Sequence, residues 1–539
     1  MSFELLRSLY GGRGTNADLV RSEDLARLHI DTPLESYVPA LVERGLDVVL
    51  TGSPGDGKSH AVRLLQGQGK LQRAVVEFDL SARDSREVAE AWANAARAGK
   101  PFVLCGNEGP LVDLLRLAES VPTLTARASE LKLQVGRLTV ARREELPPPP
   151  SLAALIDLAD RSLLVEANIE RALTRVCDYS FLPAQLGLRA SQTSAGRNIL
   201  LLAGSPLARQ RFARLLALAG RRRGGHFTFR QLWQAIAFAL TGGKAPTTLS
   251  AELYAGEVGL GTYPLDFLVK RNGTGPLIEA VRELADPAAV TDPDVDERLW
   301  ASGVVGLGQP DNEAPTDVPS QLWDNGDHVG ALRTHEQLKR YVALTHPEGE
   351  ALLARMTGEC ALASSYNDDA LLKMALEGLR RLYTPPGADE ALPPWLLSGL
   401  PLWIGHSYAD TPPFRRPHVA AGCRAQYEFS VLRPARAPWL DGMLGPLPDE
   451  AWILHEPSGA MLRLDPDLVA ALARSPHTVG PLPLPERVSR FLARIAGWEE
   501  ANPAERAGST GFAIISRPRG ELVAHGNISD SATGGAAYV

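Results

Sequence analysis

Residues 52–59 read Gly-Ser-Pro-Gly-Asp-Gly-Lys-Ser, an ungapped match to G-x-x-x-x-G-K-[ST]. Such a loop has chemistry only between a buried strand and the first turn of a helix, so it sets what its neighbours must be. Both neighbours comply. Asp47–Thr51 is a short apolar run with β-branched residues, as a buried parallel strand requires, and residues 59–69 carry a helical pattern. Phosphate oxygens need several backbone N–H groups at close range, and Gly52, Gly55 and Gly57 allow that approach. Ser53, Pro54 and Asp56 complete the loop, and His60 follows in the first helical turn. Lys58 is positioned to reach β- and γ-phosphates and Ser59 to place its hydroxyl on Mg²⁺. The pattern predicts nucleotide binding with Mg²⁺. The absence of an Asn/Thr-Lys-x-Asp guanine-reading motif favours ATP over GTP.

At 539 residues the chain is too long for one ordinary domain. Four stretches are expected: a helical lead-in over 1–45, a nucleotide-binding core over 46–180, a helical lid and loop-rich connector over 181–330, and a helical then mixed α/β region over 331–539. In the lead-in, helix starts are read at Asn16 and Ser22, and residues 33–45 form an amphipathic helix closed by Gly45. Further strands are predicted at Ala74–Leu80, Phe102–Gly106 and Leu152–Leu158, with helices between them and helical character as far as Val140. Strand–helix alternation of this kind predicts a parallel α/β sheet. Residues 147–150 are a stiff proline connector. Thr228 is a helix start and Gly242-Gly243 its stop, whereas Asn198–Leu202 can be read as helix or strand. Residues 285–330 read as loop-rich, residues 331–383 as helical, and the remainder as a small mixed α/β or β-rich region with a flexible end.

A hydrolase of this type needs a carboxylate on the Mg²⁺ side and a group that orients water. Two strand ends offer one. In the first assignment Asn107-Glu108 takes the usual Asp-Glu place and Glu108 polarises water, which the spacing from Lys58 favours. In the second, Asp79 is the metal-side carboxylate and Asn107 senses the γ-phosphate. The plainer alternatives are a turn residue for Asp79 and a helix N-cap for Asn107. Asp157, Asp160 and Arg161 lie at the end of the fourth strand, where a sensor or intersubunit arginine would stand, or a surface turn with a salt bridge. Arg230, at the start of the helix after Thr228, takes the place of a lid arginine on the γ-phosphate, or packs on Trp233. Arg221-Arg222-Arg223 reads as a solvated loop or a nucleic-acid contact; Arg415-Arg416, Arg433 and Arg436 add basic spots near aromatic residues.

A net charge of -7 does not announce a nucleic-acid binder. Short, interrupted apolar runs and a start without a basic, apolar leader predict a cytoplasmic protein with no membrane span. Cys105, Cys177, Cys360 and Cys423 form no Cys-x-x-Cys pair and read as buried free thiols.

The blocks GSPGDGKS (52–59), PFVLCGNEGPL (101–111), LIDLADRSLL (155–164), GGHFTFRQLWQAIAFALTGGK (224–244) and DPDVDERLW (292–300) together resemble the DptF-type, AAA+-like ATPases of DNA-phosphorothioation-dependent restriction and related bacterial anti-phage defence systems. The resemblance runs from about residue 40 to 300, more weakly through 332–344. The chain departs from the family in having Asp160 before Arg-Ser-Leu, where the family has Asn, and in keeping only Cys177 between sheet and lid. The resemblance implies an ATPase subunit that works with protein partners, a nuclease or a helicase/translocase, in sensing or restricting foreign double-stranded DNA, and it allows a homo-oligomer. A nucleotide-gated switch with little hydrolysis is the alternative, motivated by Asn107 where a carboxylate is usual. A P-loop phosphotransferase is a third class, against which the long C-terminal half argues.

Overall fold

Four parallel strands organise the N-terminal half: β1 (Asp47–Thr51), β2 (Val75–Glu77), β3 (Phe102–Cys105) and β4 (Ala153–Asp157). Their order across the sheet is β2-β3-β1-β4, so β1 is central, paired with β3 through Val49↔Leu104 and with β4 through Val49↔Leu155. All five residues of β1 are buried, as expected of a strand covered on both faces. The computed structural model describes residues 3–11, 27–135, 146–177, 189, 191–255, 259–270, 272–308, 315–358, 363–383, 399–404, 418–425, 428–447, 449–474, 486–501, 512–516 and 521–526. The expected starts at Asn16 and Ser22, the helix beyond Val135 and the basic pair Arg415-Arg416 lie outside the described residues.

After α1 (Phe3–Tyr10), which packs on residues 229–241, the helices α2 (Leu34–Glu43), α3 (Lys58–Gly67), α4 (Ser85–Arg97), α5 (Glu108–Glu119) and α6 (Thr125–Val135) cover the sheet. One face packs Leu34, Val38, Val62 and Leu65 on Val48, Leu50 and Val103; the other packs Trp92, Leu111, Leu114 and Leu131 on Val49, Leu104 and Leu155. The outer edge of β4 is closed by side chains of α6. Gln134 donates to Ala153 O (2.9 Å) and accepts from Leu155 N (2.8 Å), so an amide stands in for a neighbouring strand.

A helical layer follows, with α7 (Glu166–Val176), α8 (Ser194–Gly204), α9 (Pro206–Arg223), α10 (Phe229–Thr241), α11 (Pro246–Ala255), α12 (Pro264–Val269) and α13 (Pro276–Leu284). Asn198–Leu202 is therefore helix, not strand. Helix α10 starts with a capping box, Thr228 with Gln231, and stops at Gly242 in the left-handed conformation, φ 60°. Arg221–Arg223 are the last turn of α9, not a loop. Arg222 donates to Leu284 O (2.6 Å) and Arg223 pairs with Glu283 (2.7 Å), so the run ties two helix ends together. The stretch expected to be loop-rich, 285–330, also contains α14 (Pro293–Ser302) and α15 (Pro319–Asp324), each begun by a proline in its first turn. Next come α16 (His328–Thr345), which crosses the expected boundary at 331, and α17 (Gly349–Gly358).

The chain divides into two compact units, Met1–Glu359 with Ala435–Pro448, and Cys360–Pro434 with Asp449–Val539. The first unit is thus discontinuous. Its returning segment inserts Ala437, Leu440, Met443 and Leu444 into the core beside α2, β1 and β4. The second unit holds α18 (Asp368–Tyr383), β5 (Gly399–Ile404), β6 (His418–Ala425), β7 (Phe429–Leu432), β8 (Ala451–His455), β9 (Ala460–Leu464), α19 (Pro466–Arg474), α20 (Glu486–Ala501), β10 (Phe512–Ser516) and β11 (Glu521–Gly526). Its strands form two antiparallel sheets, β11-β10-β6-β5 and β7-β8-β9. Arg433 and Arg436 are not free basic spots. Arg433 pairs with Asp368 (2.7 Å) within the second unit, and Arg436 with Asp441 (2.9 Å) within the first.

Candidate functional site

The C-terminal ends of β1, β3 and β4 stand side by side, with Leu50 level with Cys105 and Thr51 level with Asp157. Ligands of open α/β sheets bind in the crevice beyond this edge. Here residues 52–57 form a tight loop that delivers the chain into α3, with Gly52, Gly55 and Gly57 at φ 129°, 102° and 87°. At Gly55 the close approach also demands glycine, because a Cβ would lie 2.8 Å from Arg230 Cβ. Against the loop lies a cavity of 220 Å³ whose walls include Pro54, Gly55, Asp56, Gly57, Lys58, Ser59, His60, Asp79, Asn107, Arg161 and Arg230, with Leu9, Leu28, Ile30, Leu34 and Trp233 as an apolar portion.

Lys58, 8% exposed, folds under the loop and donates to Gly52 O and Ser53 O, both at 2.9 Å. Burial holds its pKa below the usual lysine range, opposed mainly by the Asp56 charge. Ser59 Oγ donates to Phe78 O (2.8 Å), the carbonyl just before Asp79. The Asp79 carboxylate accepts from Ser81 N (2.9 Å), so it also caps the short 3₁₀ turn that ends the predicted strand early, at Glu77. Asn107 is the N-cap residue of α5 but its side chain makes no cap hydrogen bond, and it faces the cavity. Glu108 is exposed on the first turn of α5 and is not among the cavity walls. Of the residues singled out for the phosphate and metal site, the cavity walls gather Pro54 to His60, Asp79, Asn107, Arg161 and Arg230; Glu108, Asp157 and Asp160 are not among them, and Gly52 and Ser53 flank the cavity through their contacts to Lys58.

Helix α10 begins directly on the loop. Phe229 packs against Gly57, and Arg230 N lies 3.4 Å from Gly55 O. Asp56 is fully buried in the cavity wall: its carboxylate accepts from Ser53 N (2.6 Å) and meets His226 Nε2 (2.5 Å). Asp157 Oδ1 accepts from Ala159 N (2.9 Å), and burial raises its pKa. Asp160 is pushed up to about 7, by burial first and the neighbouring Asp157 second. His60 Nε2 lies 3.1 Å from His29 Nδ1 in a stacked pair, and burial, then His29, lowers its pKa to about 4. Cys105 is buried with its thiol pushed up to about 12; Cys177 is half-buried.

His29, Glu35, His226 and the burial of Arg161 were not singled out from sequence. His29 and Glu35 belong to the stretch entering α2, and His226 precedes the Thr228 cap. No local spacing marks any of them as facing a loop far along the chain.

The site's oxygen donors suit magnesium, which takes few protein ligands and completes its shell with water and phosphate. Among the described residues no group of three or more His, Cys, Asp or Glu could hold a metal ion by itself. No described helix is long and apolar enough to cross a membrane. Comparison with protein-family models, curated proteins and solved structures returns no match.

Proposed function

We propose that the chain is an ATP-binding, AAA+-like P-loop ATPase of the cytoplasm, with α7–α13 as its helical lid. The observation that carries this reading is the loop at the C-terminal end of β1. Three of its glycines have positive φ, and its lysine and serine are poised in one cavity with an arginine from α10. The loop amides and the first turn of α3 would receive the phosphates. Lys58 would exchange its two carbonyl partners for phosphate oxygens. Ser59 and, through water, Asp79 would hold Mg²⁺, which supplies charge neutralisation on the phosphate chain. Asn107 is placed to orient a γ-phosphate or its attacking water, and Arg230 to close over them from the lid. The apolar wall of Leu9, Leu28, Ile30 and Trp233 offers a surface for a base.

The lining favours Asp79 and Asn107 over Glu108 as the working pair. The lack of a carboxylate at the end of β3 also supports the second reading, a nucleotide-gated switch with little turnover. The resemblance to DptF-type proteins assigns the nucleotide cycle to a multi-protein defence complex that engages a nuclease or helicase/translocase and double-stranded DNA, with self-assembly a further feature of the proposal.

ATP binding and hydrolysis by the wild type and Lys58→Ala, each with and without double-stranded DNA, test it. Wild-type turnover abolished by Lys58→Ala supports the ATPase. Lys58-dependent binding without turnover under any condition favours the switch. A wild type that binds no nucleotide overturns both.

A further inference from the structure

We infer that Arg161 is a further cation of the nucleotide site, engaging the phosphate chain from the turn after β4. The inference rests on the nucleotide reading above and deepens it.

Arg161 lines the same cavity as Lys58, yet it is only 4% exposed. One amino group, Nη2, donates to Asp56 O (2.7 Å), and the guanidinium carbon stands 5.3 Å from the centre of the Phe229 ring. Its Nε is buried with no hydrogen-bond partner. No carboxylate of the described residues pairs with it. Asp56 and Glu35 act on it only through their charge. The Asp56 carboxylate, whose charge acts on it most, is hydrogen-bonded instead to Ser53 N and His226.

A buried guanidinium without an ion-pair partner is expensive, because desolvation is not offset by a facing anion. Burial lowers its pKa to about 10, which still leaves it charged at neutral pH. The cavity therefore presents a preformed positive charge with no ion-pair contact among the described residues, beside the loop that carries Lys58. A planar fork of donors suits phosphate oxygens better than any group now facing it.

The backbone on either side is held in place. Asp160 O accepts from Arg436 (3.2 Å), and Ser162 N donates to Pro446 O (2.8 Å), so the returning segment clamps both neighbours of Arg161. A cation fixed in this way costs little further ordering when an anion arrives.

The test measures binding of ATP and of inorganic tripolyphosphate to full-length wild type, Arg161→Gln and Arg161→Lys, with the melting temperature of each ligand-free protein. Arg161→Gln is expected to weaken both ligands by roughly tenfold or more, the size of one charge-assisted hydrogen bond. Its ligand-free melting temperature should be equal to or above that of the wild type, since a buried unpaired charge is gone. Arg161→Lys should recover part of the affinity. Binding of both ligands within twofold of wild type by Arg161→Gln overturns the inference. So does a lowered ligand-free melting temperature with no recovery in Arg161→Lys, which marks a structural arginine. Failure of the wild type to bind ATP defeats the nucleotide reading itself, and that result is distinct from either.

Discussion

His226 Nε2 meets Asp56 Oδ1 at 2.5 Å, joining the middle of the glycine-rich loop to the residues just before α10 across 170 residues of chain. The Asp56 carboxylate is fully buried, and its other oxygen holds Ser53 N. The loop is thus shaped from below by one aspartate whose second partner belongs to another layer of the fold. Replacing His226 with Ala should leave a buried carboxylate short of a donor and cost about 1.5–3 kcal/mol. Thermal unfolding of the ligand-free protein checks this, and an unchanged midpoint contradicts it.

Gly55 has φ 102°, and a Cβ there would meet Arg230 Cβ at 2.8 Å and Thr228 Oγ1 at 3.1 Å. Gly55→Ala is therefore expected to push the start of α10 off the loop, with a strain of about 1–3 kcal/mol. Weaker ATP binding together with a lower melting temperature is the expected result.

The two acidic candidates are separable by their demand for metal. Asp79 shares the cavity wall with Ser59, whose hydroxyl is bonded to the preceding Phe78 O, whereas Glu108 is exposed outside the cavity walls. Asp79→Asn should raise the Mg²⁺ concentration for half-maximal ATP binding by roughly tenfold, as loss of an outer ligand partner does. Glu108→Gln should shift it little. Mg²⁺ titrations at fixed ATP decide the matter, and the reverse pattern would restore Glu108 to the metal side.

His60 carries a pH signature. Its folded pKa of about 4 lies below the ordinary 6.5, so the unfolded chain binds its proton first on acidification. The stability this group contributes is present above pH 6.5 and is lost as the pH falls towards 4. Denaturation midpoints at pH 7.5, 6 and 5 should therefore drop more steeply for wild type than for His60→Gln. Parallel curves would show that the imidazole titrates alike in both states.

The edge of β4 offers a stability test remote from the cavity. Gln134→Leu removes the amide that satisfies Ala153 O and Leu155 N. Two buried backbone groups then lose partners, at about 1–3 kcal/mol each. A clear loss of melting temperature is expected, with ATP affinity retained by the folded fraction.

What could be read from the sequence was local. The glycine loop, the strand at 47–51, the Thr228 cap and the Gly242 stop each declare themselves within a few residues. Their backbone chemistry is specified there, and the structure has them at those positions. The strand at Ala74–Leu80 was overextended because Asp79 and Ser81 form a turn whose hydrogen bond competes with the ladder. Within the loop-rich stretch 285–330 the sequence did not mark α14 and α15, since proline and aspartate, which suggest breaks, serve as first-turn and cap residues of α14. Arg161, His226 and His29 gain their roles from partners across the fold, and the returning segment has no signal of its own beyond scattered apolar residues. Spacing alone left Asp79 and Glu108 as rivals, and only the direction each faces separates them.

The returning segment also bears on the order in which this protein can be made. Ala437, Leu440, Met443 and Leu444 belong to the core with β1 and α2, yet they follow the whole α18–β7 stretch in the chain. A nascent chain that has reached Glu359 holds every residue of the glycine loop and the lid but lacks four of the side chains on which α2 and the sheet close. The first unit can finish its core only after synthesis has passed Leu444. A fragment cut before the second unit would be left with an apolar gap that no ligand fills.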